Sequence, residues 1–214
     1  MPAPLTPEQI ACFRQRVCQV AERQFAEHGI EQVSMRSLGK ELGCSATALY
    51  SYFDNKEAIV AAARASALDR LSVRLEAAHA STDDPWQRSR AIGNAYIDFA
   101  TAEPEAYRLV FAMAQPDQQL YPELAIAEQR AARNTQLYVE DMVAAGLLVG
   151  DPTVLSHVFW AGMHGLISLQ MAGKLGANKP PFETLRHEMM RLITRGALPP
   201  SQSASLNETK TESA

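Results

Sequence analysis

Ser34-Met35-Arg36-Ser37-Leu38-Gly39-Lys40-Glu41-Leu42-Gly43-Cys44-Ser45-Ala46-Thr47-Ala48-Leu49-Tyr50-Ser51-Tyr52 is the stretch that decides how this chain folds. It reads as two short helices joined by a tight turn. Ser34 can cap the first, whose apolar face is Met35, Leu38 and Leu42. Gly43 permits the left-handed conformation that ends a helix, Cys44 turns inward, and Ser45 caps the second. This is a helix-turn-helix pattern. The second helix, Ala46 to Tyr52, is too short to persist alone, so the long helix before it and Phe53 must hold it. Spacing alone describes two short core helices equally well. The groups displayed favour DNA: Thr47, Ser51, Tyr50 and Tyr52 can bond phosphate or touch base edges. Lys56 falls in the first turn of the next helix, where the dipole disfavours a cation unless an anion is near.

Outward from this motif, helix starts are legible. Thr6-Pro7-Glu8-Gln9 offers a cap, a first-turn proline and a capping-box glutamine. Asp84-Pro85-Trp86-Gln87 repeats the arrangement, Asp54-Asn55-Lys56-Glu57 is a box without proline, and Asp151-Pro152 gives cap and proline again. Stops fall at Gly29, Gly43, Gly146 and Gly173. The spacing predicts an all-α protein of about nine helices, near 6–28, 35–42, 46–52, 55–79, 85–102, 104–114, 122–145, 152–172 and 181–196. Phe13, Val17, Val20, Ala21 and Phe25 form one stripe on the first. The predicted division is residues 1–55 as a three-helix DNA-binding domain and 56–196 as a helical ligand-binding and dimerisation domain. Residues 197–214, with Pro199, Pro200 and four serines, read as a disordered tail.

The chain of 214 residues has a net charge of −4, and its first 60 residues hold six Lys or Arg against seven Asp or Glu. Bulk attraction to phosphate is therefore modest, and contacts must come from a few placed groups. Three cysteines do not make a disulfide framework; Cys12 and Cys18 would lie more than about 8 Å apart along one helix. A reducing cytoplasm is the expected home, and Pro2, Pro4, Pro7 and Glu8 interrupt any signal-like apolar run. Pro152–Gly173 is free of Asp, Glu, Lys and Arg over 22 residues. Its Thr153, Ser156, His157, His164, Ser168 and Gln170 point to a helix covered by protein, not lipid.

Val17-x-x-x-Ala21-x-x-x-Phe25-Ala26-Glu27-x-Gly29, Ser34-Met35-Arg36-Ser37-Leu38, Leu42-Gly43-Cys44-Ser45 and Leu49-Tyr50-x-Tyr52-Phe53-x-x-Lys56-Glu57 fall in one register. From about Ile10 to Ala65 the chain resembles the N-terminal domain of tetracycline-repressor (TetR) family regulators. The resemblance implies that Ser34, Tyr50, Tyr52 and Lys56 grip phosphates, that Arg36 and Thr47 lie nearest base edges, and that Ser45 caps or contacts DNA. Two residues depart from the family pattern. Gly39 stands where alanine is usual, which should loosen that helix by up to about 1 kcal/mol. Thr47 stands where a small residue or proline is usual, so base preference there does not carry over.

Further on, Ala95-Tyr96-Ile97-Asp98-Phe99-Ala100, Glu103 to Phe111, and Trp160-Ala161-Gly162-Met163-His164-Gly165 resemble a C-terminal subgroup marked by Trp, His and Gly. Val154, Val158, Ala161, Gly162, Gly165 and Ala172 form a small-residue face suited to a partner helix. With Phe182, Leu185, Met189 and Leu192 of the last helix they imply the family's two-fold, four-helix dimer interface. Tyr96, Phe99, Tyr107, Phe111, Trp160, Met163 and His164 are candidate contacts for a small apolar or aromatic effector; each also suits an ordinary core position. The implied protein is a homodimeric repressor, released by the effector from a near-palindromic double-stranded operator, with no cofactor, metal or membrane partner. Enzyme readings find little: no Gly-rich phosphate loop, no Gly-x-Ser-x-Gly, no His-Glu-x-x-His. His157 and His164 lack a carboxylate partner for a metal. A thiol-based redox sensor has no cationic cluster behind it. A purely structural helical module accounts for the helices but not for the Ser34–Lys56 landmarks.

Overall fold

The computed structural model describes residues 6–112, 116–117, 119–176 and 179–200. Among them are nine α-helices and no strand: α1 Pro7–His28, α2 Met35–Leu42, α3 Ala46–Tyr50, α4 Lys56–His79, α5 Pro85–Ala102, α6 Pro104–Val110, α7 Pro122–Ala144, α8 Pro152–Met171 and α9 Phe182–Gly196. The all-α expectation holds, and most ends fall within two residues of it. Local caps explain why. Thr6 and Ser34 form capping boxes with Gln9 and Ser37. Ser45 accepts from the Ala48 amide at 3.1 Å, Asp84 from Gln87 at 2.8 Å, and Asp151 from Thr153 and Val154.

Where the structure differs, longer-range packing decides. The start of α4 is capped by Asn55, whose Oδ1 accepts from the Ala58 amide at 2.8 Å, so the expected box at Asp54 is one residue early. Helix α3 stops at Tyr50, and Tyr52 and Phe53 continue as turns onto the Leu49 carbonyl. Helix α6 ends at Val110; residues 113 and 114, expected to be helical, lie outside the described set. A 3-10 turn at Ile30–Gln32, too short for any periodicity to announce, follows α1. Ala197 is buried and its carbonyl accepts from the Val149 amide at 2.8 Å, so the expected tail begins too early; residues 201–214 lie outside the described set.

The described residues form two compact units, those within 1–74 and 98–131, and those within 75–97 and 132–214. They interleave, whereas the sequence suggested a single cut after residue 55. Helices α4, α5 and α7 are 24, 18 and 23 residues long. At 1.5 Å per residue each spans more than one packing centre. The first unit closes around Val17, Ala21 and Phe25 of α1, Leu38 of α2, Leu49 of α3, and Ile59 and Ala63 of α4. A second cluster joins Ala61, Ala65 and Leu68 of α4 to Leu124, Ala127 and Ala131 of α7. Arg64, 1% exposed, lies near both clusters and donates to the Leu109 and Ala112 carbonyls at the end of α6, each at 2.9 Å. Such a buried guanidinium is tolerated because its donors meet carbonyls where a helix dipole is negative.

The second unit packs α8 against α9 at Gly162, beside Met189 and Ile193, and buries Phe159, Met163 and Ile167 of α8. Asp141 of α7 ties His79 of α4 and Arg88 of α5 together, at 3.1 and 2.9 Å. No helix among the described residues is long and apolar enough to cross a membrane.

Candidate nucleic-acid interface and effector cavity

The helix-turn-helix is built on one close approach. A Cβ on Gly39 would lie 2.8 Å from the Cys44 carbonyl oxygen and 3.2 Å from the Ala46 nitrogen. The missing side chain therefore lets the turn fold directly onto α2, and the Cys44 amide donates to the Gly39 carbonyl at 2.9 Å. Gly43 makes the reversal at φ 72°, ψ 26°, a conformation that a Cβ disfavours. Leu38 and Leu49, neither exposed to solvent, lock the two helices from beneath.

What remains outside is a polar face. Ser34, Arg36, Ser45, Thr47, Tyr50 and Ser51 are exposed, Tyr50 by 53%. The hydroxyls of Ser34 and Ser45 accept from amides within their own helices; that of Ser34 also donates to the Ser37 hydroxyl, and that of Ser45 keeps its proton to donate. Two expected phosphate ligands have structural partners as well. Tyr52 is half-buried with its ring 4.6 Å from Phe13. Lys56 Nζ donates to the Ile30 carbonyl at 2.8 Å, closing the 3-10 turn onto α4. An ammonium has three donors, so two stay available.

Helix α1 supports this face from behind. Arg14 donates to the Tyr52 carbonyl and stacks 4.3 Å over Phe53. Arg23 and Gln24 both bond Glu41 of α2, and the Arg23 guanidinium and Gln24 amide hold that carboxyl below its ordinary range. Sequence reasoning missed these residues, because their partners lie 17 to 38 positions away. All three cysteines are free. Burial pushes the Cys18 thiol up to about 12, the opposite of a reactive thiolate.

The second unit holds a small, partly open cavity of about 40 Å³, lined among others by Leu75, Ile92, Tyr96, Tyr138, Phe159 and Met163. Trp160 also lines it and donates from Nε1 to the Tyr96 hydroxyl at 3.0 Å. The lining holds no Asp, Glu, Lys, Arg or His; its polar groups are hydroxyls such as Ser89, Thr135 and Ser156. Of the seven expected effector contacts, Tyr96, Trp160 and Met163 line this cavity. Phe99, Tyr107 and Phe111 belong to the first unit, Phe99 beneath the Arg74 guanidinium and Tyr107 4.8 Å from Phe111. His164 is half-buried beside Trp160, and burial lowers its pKa from its ordinary 6.5.

Residues 18–63 match the family described as bacterial regulatory proteins, tetR family, and residues 89–193 match its tetracyclin repressor-like C-terminal domain. The chain belongs to the TetR family. It is a DNA-binding transcriptional regulator, not an enzyme.

Among TetR relatives, it is 24% identical over 195 residues to the HTH-type transcriptional regulator Rv1816 of Mycobacterium tuberculosis, covering 76% of this chain and 82% of that protein. It is 30% identical over 91 residues, 42% of each chain, to the HTH-type transcriptional activator FasR of Mycolicibacterium smegmatis. A solved structure from Rhodococcus sp. RHA1, of unknown function, superposes with a TM-score of 0.73 at 25% identity, covering 87% of this chain and 95% of that one. TetR regulators bind operators and small-molecule effectors and act as dimers.

Proposed function

We propose that this chain is a cytoplasmic homodimeric repressor that reads a near-palindromic operator and is released by a small, uncharged, mostly apolar molecule. The exposed polar face of α2 and α3, over a fully buried apolar underside, is the observation that carries the reading. Arg36 and Thr47 meet base edges, while Ser34, Ser45, Tyr50, Tyr52 and Lys56 hold phosphates. The bond of Lys56 to Ile30 supports its place: it fixes the cation at the start of α4 and leaves two donors for a neighbouring anion.

Dimer formation is supported by an apolar stripe left open in the second unit. Val154, Val158 and Leu169 of α8 and Leu192 of α9 are exposed by 44–59%, and α9 buries no residue in the single chain. Gly162 of the expected small-residue face is taken up by α9, where a Cβ would lie 2.7 Å from Met189 Sδ. Ala161 and Ala172 stay exposed, and nothing lies within 4 Å of a Cβ on Gly165. A second copy is the occupant that covers such a stripe.

The cavity supports the effector class. A site lined by aromatic rings, Leu, Ile, Met and hydroxyls excludes ions by desolvation and orients a ligand through one or two hydrogen bonds. Tyr96, Trp160 and Met163 are the contacts assigned to it. The Trp160, His164 and Gly165 signature supports placing the C-terminal part in the subgroup marked by those residues. Helix α4 carries Lys56 in the first unit and Leu75 in the cavity, which makes it the natural lever.

The test has two stages. Genomic fragments retained by the purified full-length protein are sequenced to define the operator. Operator affinity is then measured with each compound that raises the melting temperature. A coupling of about 1–3 kcal/mol, or 5–150-fold weaker binding, is expected. If every stabilising compound leaves operator affinity unchanged, the effector reading fails.

A further inference from the structure

Beyond the DNA-contacting face, one ionic chain built around the buried Glu22 joins the helices that hold it. Arg70 of α4 donates from Nη2 to Glu22 of α1 at 2.9 Å and from Nε to Glu103 at 2.6 Å, and from Nη1 to the Ser66 hydroxyl. Arg74, one turn on, also bonds Glu103. Glu103 is the residue at the N-terminus of α6, and the opposite end of α6 is held by Arg64, again from α4. Three arginines of one helix thus fasten both ends of α6. Helix α6 in turn packs against α1.

Glu22 is 7% exposed, and its Oε1 has no hydrogen-bond partner. An ionised carboxyl so placed is held by Arg70 alone, a demanding arrangement for a stability device, since replacing a buried pair by apolar groups is often neutral or better. Its value lies in direction. Glu22 faces α4, while the next two residues, Arg23 and Gln24, face α2 through Glu41 and, for Gln24, the Ser37 carbonyl. The series Glu103–Arg70–Glu22 and, through the backbone of α1, Arg23/Gln24–Glu41 connects the α6 start to the helix that begins the DNA motif.

We propose that Arg70 is a positioning residue for operator binding: by bridging Glu22 and Glu103 it fixes α1, and through α1 the α2–α3 face. Arg70 touches no DNA. The apolar contacts of Val17, Ala21 and Phe25 hold α1 in place but are non-directional, so they permit rotation or sliding that a forked guanidinium between two carboxylates forbids.

The inference rests on α2–α3 being the DNA-reading face, so wild-type binding to its own recovered operator is the control. Full-length Arg70→Met and the double variant Glu22→Gln with Arg70→Met are compared for melting temperature, operator affinity at several salt concentrations, and amide exchange in α1–α3. Arg70→Met is expected to lose both stability and affinity, because Glu22 is left buried and unpaired. The double variant removes that charge and is expected to regain most of the stability. It should still bind the operator at least 10-fold more weakly than wild type, with an unchanged salt slope and faster exchange in α1–α3. If the double variant binds within twofold of wild type, Arg70 serves only to neutralise Glu22 and the proposal is overturned. A shallower salt slope would overturn it too, by making Arg70 a phosphate ligand. If wild type itself retains no DNA, the DNA-reading face is wrong and not merely its positioning.

Discussion

Two glycines show how differently the two units are made. At Gly39, in the first unit, the obstacle to a side chain is the backbone of the following turn, 2.8 Å from where a Cβ would sit. At Gly162, in the second, it is the flexible end of Met189, 2.7 Å away. The first unit fits backbone to backbone, and its working groups stand on the outside of a filled core. The second fits backbone to thioether, and the site proposed for its effector lies among its helices. A reader of DNA needs fixed spacing between donors; a receptor for small molecules needs walls that adjust, which methionine provides. Met163 and Met190 line the same cavity.

The largest effect that sharpens this contrast is expected from Leu38→Ala. Leu38 is fully buried beneath the motif, and the truncation should cost about 2–5 kcal/mol in denaturant titrations and abolish operator binding at moderate temperature. Met163→Ala in the cavity wall should cost less and leave effector-free operator affinity within a factor of about two, because the space it opens adjoins one that already exists. Equal losses at the two sites would erase the distinction.

Next come the glycines themselves. Gly39→Ala gains up to about 1 kcal/mol of helix propensity but must displace the Cys44 carbonyl, so a net loss of about 1–3 kcal/mol is expected, with weaker operator binding. The expectation that glycine merely loosens α2 is thereby reversed. Gly162→Ala should be neutral or stabilising, since Met189 can swing aside. Thermal melts of both variants decide; a stabilised Gly39→Ala would show that the turn is softer than its geometry implies.

Lys56→Ala should reduce the dependence of operator affinity on salt by about one counterion and cost roughly 1 kcal/mol through the lost Ile30 bond. Tyr50→Phe should weaken binding to all sequences alike, with no change in melting temperature because its ring stands in solvent. An unchanged salt slope for the lysine variant would reduce Lys56 to a loop tie.

The smallest effect is in the second unit. Burial lowers the His164 pKa below its ordinary 6.5, so the fold favours the neutral ring. Its contribution to stability is present above pH 6.5 and is lost as pH falls through that value towards the lowered folded pKa. Stability measured from pH 7.5 to 5 should therefore decline, and His164→Gln should flatten part of the decline. An identical pH profile would show that His164 carries no burial penalty.

Much of this was legible because it is local. Thr6, Ser34, Ser45, Asp84 and Asp151 each bond an amide two or three residues on, so their role is written within one turn of chain. What escaped is set by distant partners. Nothing near Lys56 announces the Ile30 carbonyl 26 residues earlier, and nothing near Glu22 announces Arg70, 48 residues later. The aromatic residues illustrate the same limit. Tyr96 and Phe99 are three positions apart on α5, yet one lines the cavity and the other packs in the first unit beneath Arg74. Periodicity finds a buried face but not which core the face belongs to, and a helix shared by two cores defeats it.

Footprinting of the full-length protein on its recovered operator tests the reading of α2 and α3 as a paired DNA-binding face most directly. Two protected half-sites are expected, related by a dyad, with centres about 34–36 Å apart or a widened multiple of that spacing. Arg36→Ala or Thr47→Ala should change which bases are preferred within each half-site and leave the spacing intact. A single protected stretch without dyad symmetry, or base preferences untouched by both substitutions, would contradict it.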